Sequence, residues 1–154
     1  MSSRIFDSVV DHAARSPSDV AIYLTSEKFL SYHELVCQVQ LLKKQLQPII
    51  STLETINHTP LVLLKVNRNV SMIIGILGIF SCDAAYIPID FENPIKRQSL
   101  VAIESNAKIM IIDETLWKED DYKLISDSIE FVIILNNQGG VLDIHNILEK
   151  KKKK

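Results

Sequence analysis

The chain has 154 residues, of which 47% are hydrophobic, which suits one domain with a real core and argues against disorder. Of its 17 basic residues, five are the terminal lysines 150–154, so the rest of the chain is acidic (19 Asp and Glu) and shows no sign of nucleic-acid binding. Two separated cysteines, Cys37 and Cys82, make no disulfide framework and the N-terminus has no secretory pattern, so a reducing, cytoplasmic setting is expected.

Residues 4–15 read as a helix. Ile5, Phe6, Val9, Val10, Ala13 and Ala14 recur at helical spacing, Asp7, Asp11 and Arg15 fall opposite, and Pro17 ends it. Residues 20–24 and 28–30 read as short strands around Ser26-Glu27. Ser31 then begins a second helix. Ser31-x-x-Glu34 is a capping box: the hydroxyl accepts from the Glu34 N–H, and the carboxylate reaches back to Ser31. Leu35, Val39, Leu42 and Leu46 line the buried face, and Pro48 is expected to close the helix before a polar loop over 49–60. Both cysteines fall in apolar helical patterns, which predicts two buried thiols.

Residues 61–66 are nearly all apolar, as in a strand covered on both faces. A turn at 67–69 leads into 70–82, which has almost no polar side, so a helix there is enclosed. Its 13 residues fall short of the roughly 20 that cross a membrane, and extending it would bring in Asp83 and Pro88. Gly75 and Gly78 in this helix suit close helix packing. A short strand over 84–89 follows. Asn93 is expected to cap the next helix, with Pro94 in its first position, and Asn106 to take the left-handed exit after Ser105. Residues 108–112 read as a strand, 115–126 as a charged helix, 130–135 as the last strand, 136–140 as a turn and 141–148 as a helical stub. Strand and helix alternate from Leu61 onward, which predicts an α/β fold with a mostly parallel sheet and flanking helices.

Few residues are grouped for chemistry. His12, His33, His58 and His145 stand apart, with no metal-ligand spacing. Ser81 and Cys82 have no nearby base and no glycine elbow, so core packing explains them. Gly139-Gly140 lacks the Lys and the Ser or Thr of a phosphate loop. Asp90 is the carboxylate that stands out. Its functional reading is a polar contact near a ligand cleft; its structural reading, which is preferred, has it accept backbone N–H groups in the turn before Asn93 or pair with Arg97. Tyr32 and His33 could touch a ligand, but an anchored helix start explains them more simply.

Two stretches carry a family resemblance. Residues 29–35, FLSYHEL, resemble the first core motif of the adenylate-forming superfamily, which includes acyl-CoA synthetases and peptide-synthetase adenylation domains. Residues 84–90, AAYIPID, with Pro94 and Arg97 behind them, resemble its second. The matching residues are Ser31, Tyr32, Glu34, Leu35, Ala84, Ala85, Tyr86, Pro88, Asp90, Pro94 and Arg97, and the resemblance implies a mainly structural role for them. Two departures stand out: Ser81-Cys82-Asp83 where the family has Lys-Ala-Gly, and Phe91 where it has Pro. They point to a divergent branch. The GILGI run at 75–79 ahead of AAYIPI is similar to the β-alanine-activating, aminoadipate-semialdehyde-dehydrogenase-like proteins.

The resemblance implies that residues 1–149 are an incomplete N-terminal part of the large subdomain of such an enzyme, followed by a solvated poly-lysine tail at 150–154 that also reads as a translated poly(A) stretch. The family joins ATP, with magnesium, to a carboxylic or amino acid, and passes the acyl group to the thiol of coenzyme A or of a carrier phosphopantetheine. Its phosphate loop and catalytic-lysine domain follow the matched region. The chain alone is therefore expected to be inactive, with no catalytic, cofactor or metal residue of its own. The alternative is a non-catalytic α/β binding or regulatory module that pairs with a full-length partner and associates through an exposed sheet edge.

Overall fold

The computed structural model describes residues 5–53, 58–118 and 127–147. Helix α1 (Ile5–Arg15) leads into a small antiparallel hairpin, β1 (Val20–Tyr23) and β2 (Phe29–Ser31), and then into the long helix α2 (Tyr32–Thr52). The main sheet follows as β3 (Leu61–Lys65), α3 (Val70–Ser81), β4 (Ala85–Pro88), α4 (Ile95–Ser105), β5 (Ile109–Asp113), a 3-10 turn (Glu114–Leu116), β6 (Phe131–Leu135) and β7 (Val141–Asn146). Its strand order is β4-β3-β5-β6-β7, parallel except for β7.

The chain steps from β3 to one side to make β4, then crosses back over β3 to make β5. Crossovers between parallel strands are right-handed, so opposite steps place their helices on opposite faces. The packing agrees. One core joins Val62, Leu64, Ile109, Ile111, Ile133 and Leu135 of the sheet to α1, α2 and α3. The other joins Leu63, Met110, Ile112, Val132 and Ile134 to Ala102 of α4. Alternate residues of each parallel strand thus serve alternate cores, which is why these strands read as unbroken apolar runs. Helix α3 is enclosed as its sequence requires, and none of the helices in the described residues is long and apolar enough to cross a membrane.

Several expectations are corrected. Pro48 does not end α2. It sits exposed within the helix, and the buried Ile50 holds the last turn against the core. The Ser51 and Thr52 hydroxyls donate to the carbonyls of Gln47 and Ile49 there, so tertiary packing overrides the local break. Residues 49–52 are therefore helix, and 54–57 lie outside the described residues. Cys37 is exposed, because it lies across the helix from the Leu35–Val39–Leu42–Leu46 stripe; only Cys82 is buried. Asn93 does not cap α4. Pro94 takes the boundary position with ψ 142°, and the Asn93 carbonyl accepts from Gln98 Nε2 at 2.7 Å. Gly75 faces Leu64 of the sheet, so of the two glycines only Gly78 serves helix packing, against Leu42 of α2.

In place of the helical stub expected at 141–148, Val141–Asn146 is a strand, and 148 lies outside the described residues. Asn136 folds the turn by accepting from the N–H groups of Gln138 and Gly140 through its Oδ1, and Gly139 takes φ 82°. The chain returns beside β6 and pairs with its backbone, so β6 is not the last strand. Of the helix expected at 115–126, the described part begins with the 3-10 turn Glu114–Leu116; 119–126, and the tail at 150–154, lie outside the described residues.

Candidate functional site

In an open α/β sheet, ligands bind beyond the carboxyl ends of the strands, where the strand order reverses. Here that place is the crevice between the ends of β3 and β5, and it holds a polar cluster set in apolar surroundings. Asp113, the last residue of β5, has no exposed surface. Its Oδ1 accepts from the Thr115 N–H at 3.0 Å and the Thr115 hydroxyl at 2.8 Å. Its Oδ2 accepts from Asn69 Nδ2 at 3.1 Å, with the Ser71 hydroxyl 3.4 Å away. Asn67 Nδ2 donates to the Thr115 hydroxyl at 2.8 Å, and the Ser71 hydroxyl also lies 3.3 Å from the Asn136 carbonyl. Burial pushes the Asp113 carboxyl up, but the hydrogen bonds from Thr115, Asn69 and Asn67 outweigh it and hold the group below the usual carboxylate range. Asn69 also caps α3 by accepting from the Ser71 N–H. The ends of β3, β5 and β6 and the start of α3 are thereby tied at one point.

A cleft of about 320 Å³ opens beside this cluster, lined by Lys65, Phe91, Asn93, Gln98, Thr115 and Lys118 among others. Its charged lining is basic, and Lys65 is buried and already engaged. No histidine, cysteine or carboxylate lines it among the described residues. No group of three metal-ligating side chains occurs among the described residues either. The cleft can hold a small polar group, and the polar side chains that line it are the Lys65 and Lys118 amines, the Thr115 hydroxyl and the Asn93 and Gln98 amides.

The first motif residues share the start of α2. Ser31 caps it: its hydroxyl accepts from the Glu34 N–H at 3.2 Å, and Glu34 Oε2 accepts from the Ser31 N–H at 2.8 Å. These bonds, with the Ser31 N–H first, hold the Glu34 carboxyl below its ordinary value. Tyr32 packs on His12 of α1, ring centroids 4.1 Å apart, and Leu35 is buried in the core. The second motif residues share β4 and the entry to α4. Ala84 is buried, and the Ala85 N–H donates to the Pro60 carbonyl. Tyr86 packs on Phe80 at 5.8 Å, and Pro88 ends the edge strand. Asp90 Oδ1 accepts from the Glu92 N–H at 2.9 Å, and the Arg97 N–H donates to the Pro94 carbonyl. Among the described residues, no bond of one motif reaches the other.

The departures from the family pattern have structural consequences. Asp83 has φ 56°, so this chain places a carboxylate residue in a left-handed position where the resembled family has glycine. Cys82 is buried, and burial pushes its thiol up, away from nucleophilic use. The Asp113 cluster was not singled out from the sequence. Its members come from three separate segments, and the available signal was a polar residue at the carboxyl end of each of three parallel apolar runs.

No family's sequence profile matches the chain. In sequence it is 30% identical over 122 residues to bacitracin synthase 1 of Bacillus licheniformis, a match covering 79% of this chain and 2% of that one. In fold it matches the nonribosomal peptide synthetase FmoA3 in its α-methyl-L-serine-AMP-bound form, with TM-score 0.70, 20% identity, and coverage of 90% of this chain and 14% of that one. It also matches a mutant form of coronafacic acid ligase from Pectobacterium brasiliense, with TM-score 0.71, 14% identity, and coverage of 84% and 25%. The chain thus spans a small fraction of the proteins it matches. In sequence and fold it resembles the N-terminal portion of the adenylate-forming superfamily, and its α/β architecture is that of part of an adenylate-forming enzyme's large subdomain.

Proposed function

We propose that residues 1–149 are the N-terminal part of an acyl-adenylate-forming enzyme. Such a protein would use ATP and magnesium to activate a carboxylic or amino acid and pass the acyl group to the thiol of coenzyme A or a carrier phosphopantetheine. The observation that carries this reading is the two motifs, in family order, on a fold that matches a peptide synthetase and an acid ligase. The two unpaired cysteines support a cytoplasmic setting. The GILGI–AAYIPI pattern supports the β-alanine-activating branch.

Within this reading the motif residues hold the scaffold. Ser31 and Glu34 fix the start of α2, and Asp90 fixes the turn into α4. Residues 1–154 alone do not activate an acid. That step needs donors that cradle a triphosphate while a carboxylate attacks the α-phosphorus, and the sequence has no glycine-rich phosphate loop to supply them. The test is ATP–pyrophosphate exchange by purified 1–154 with a panel of amino and carboxylic acids. The expected result is exchange no greater than buffer; clear exchange overturns the scaffold assignment. Sequencing the genomic DNA past the codon for Glu149 tests the family assignment separately. A Ser/Thr/Gly-rich phosphate loop in the continuing frame supports it, and a stop after Lys154 with nothing related downstream counts against it.

A second reading, a non-catalytic module that pairs with a full-length partner, is favoured by one observation. Leu100 and Ile103, neighbours on the outer face of α4, are each more than half exposed.

A further inference from the structure

An open sheet edge invites another strand, and among the described residues this sheet has two: the outer sides of β4 and β7. We propose that Pro88 and Asp143 close these edges to strand addition, so that a partner of this chain docks on a face or a loop and not as a sixth strand.

The backbone parity fixes which groups face outward. On β4, the Ala85 N–H donates to the Pro60 carbonyl and the Ile89 N–H to the Leu64 carbonyl, both toward β3. Residues 86 and 88 therefore turn their backbone away from the sheet. Residue 88 is proline and has no N–H to offer, so the outer side of β4 is left with the single donor of Tyr86. On β7, the Ile147 N–H donates to the Glu130 carbonyl, toward β6. Ile144 lies three residues away, so its N–H points outward. That donor is occupied: Asp143 Oδ1 accepts it at 2.8 Å. The carboxylate is held in place from its other side, with Oδ2 3.0 Å from His145 Nε2, and it stays 61% exposed, which sets a charge on the edge. The register shift between Ile134 and Leu135 adds a local irregularity beside it. Each edge is one outward donor short, by different means: on β4 the donor at residue 88 is missing, and on β7 the donor at residue 144 is already taken.

Two measurements test this on the 154-residue chain. The first is sedimentation velocity and thioflavin T fluorescence of wild type against the double variant Pro88→Val/Asp143→Ala, at equal concentration and with far-UV circular dichroism to verify folding. The double variant is expected to gain strand-paired assemblies, with an apparent mass at least twice that of wild type and raised dye fluorescence. A folded double variant with the wild-type mass and fluorescence overturns the proposal. So do wild-type assemblies in which the Tyr86 amide is protected from exchange. The second is amide exchange of Asp143→Ala alone, which stays informative if the double variant fails to fold. The Ile144 N–H is expected to exchange roughly tenfold faster than in wild type. An unchanged rate means the carboxylate does not hold that donor, and the β7 half of the proposal falls. Asp143→Asn, which keeps an oxygen acceptor, is expected to leave the Ile144 exchange rate as in wild type.

Discussion

Gly78 of α3 and Leu42 of α2 interlock: a Cβ on residue 78 would stand 2.5 Å from Leu42 Cδ2 and 3.0 Å from its Cγ. Leu42 has no exposed surface, so it has nowhere to retreat. Gly78→Ala is expected to destabilise the chain by about 1–3 kcal/mol from overpacking. The better helix propensity of alanine, worth about 1 kcal/mol, offsets only part of this. Urea unfolding checks it. Combining Gly78→Ala with Leu42→Ala should cost less than the sum of the two single changes, because the smaller partner removes the clash.

Asp83 gives the opposite expectation. Its left-handed conformation strains any residue with a Cβ. Asp83→Gly should stabilise the chain by about 0.5–1 kcal/mol, read as a higher urea midpoint at unchanged slope. A lower midpoint would mean that the Asp83 side chain holds the turn by more than its backbone strain takes away.

The start of α2 should respond to both mutation and pH. Ser31→Ala removes the acceptor for the Glu34 N–H and is expected to lose about 1 kcal/mol, while Ser31→Thr should retain most of the cap. The Glu34 carboxyl is held below its ordinary value, so its contribution is present above the unfolded value and is lost as pH falls through the folded one. Glu34→Gln should therefore lower stability at neutral pH and leave a shallower acid limb. An acid limb of wild-type steepness would sink this assignment.

Asp113 should act in the same direction from within the fold. Its carboxyl is held low, so acidification through its folded value removes stability that is fully present at neutral pH. Asp113→Asn turns one acceptor into a donor that faces the Asn69 amide. The expected cost is about 1–3 kcal/mol at neutral pH, and the gap to wild type should narrow in acid. Thermal melts of both proteins across the acid range measure it.

The features legible in the sequence are those whose causes lie within a few residues. The Ser31–Glu34 box and the left-handed exit at Asn106, with φ 53°, are each complete in a contiguous segment. The alternation of runs from Leu61 also carried enough information for a mostly parallel sheet. The misses share a non-local cause. Pro48 stays helical because Ile50 is held by the core, which no window around Pro48 reveals. Residues 141–146 are a strand because Asn136 folds the chain onto β6, and the segment's own apolar spacing does not distinguish strand from helix. Asn69 and Asp113 meet across 44 residues, and only the sheet order brings them together.

The strand order β4-β3-β5-β6-β7 also bears on how the chain is made. Strand β3 leaves the ribosome before the other four, and each later strand adds at an edge that is already exposed: β4 on one side, then β5, β6 and β7 on the other. No strand has to be inserted between two that are already paired. Synthesis at about 5–20 residues per second therefore lets the sheet grow outward in the order in which it is translated.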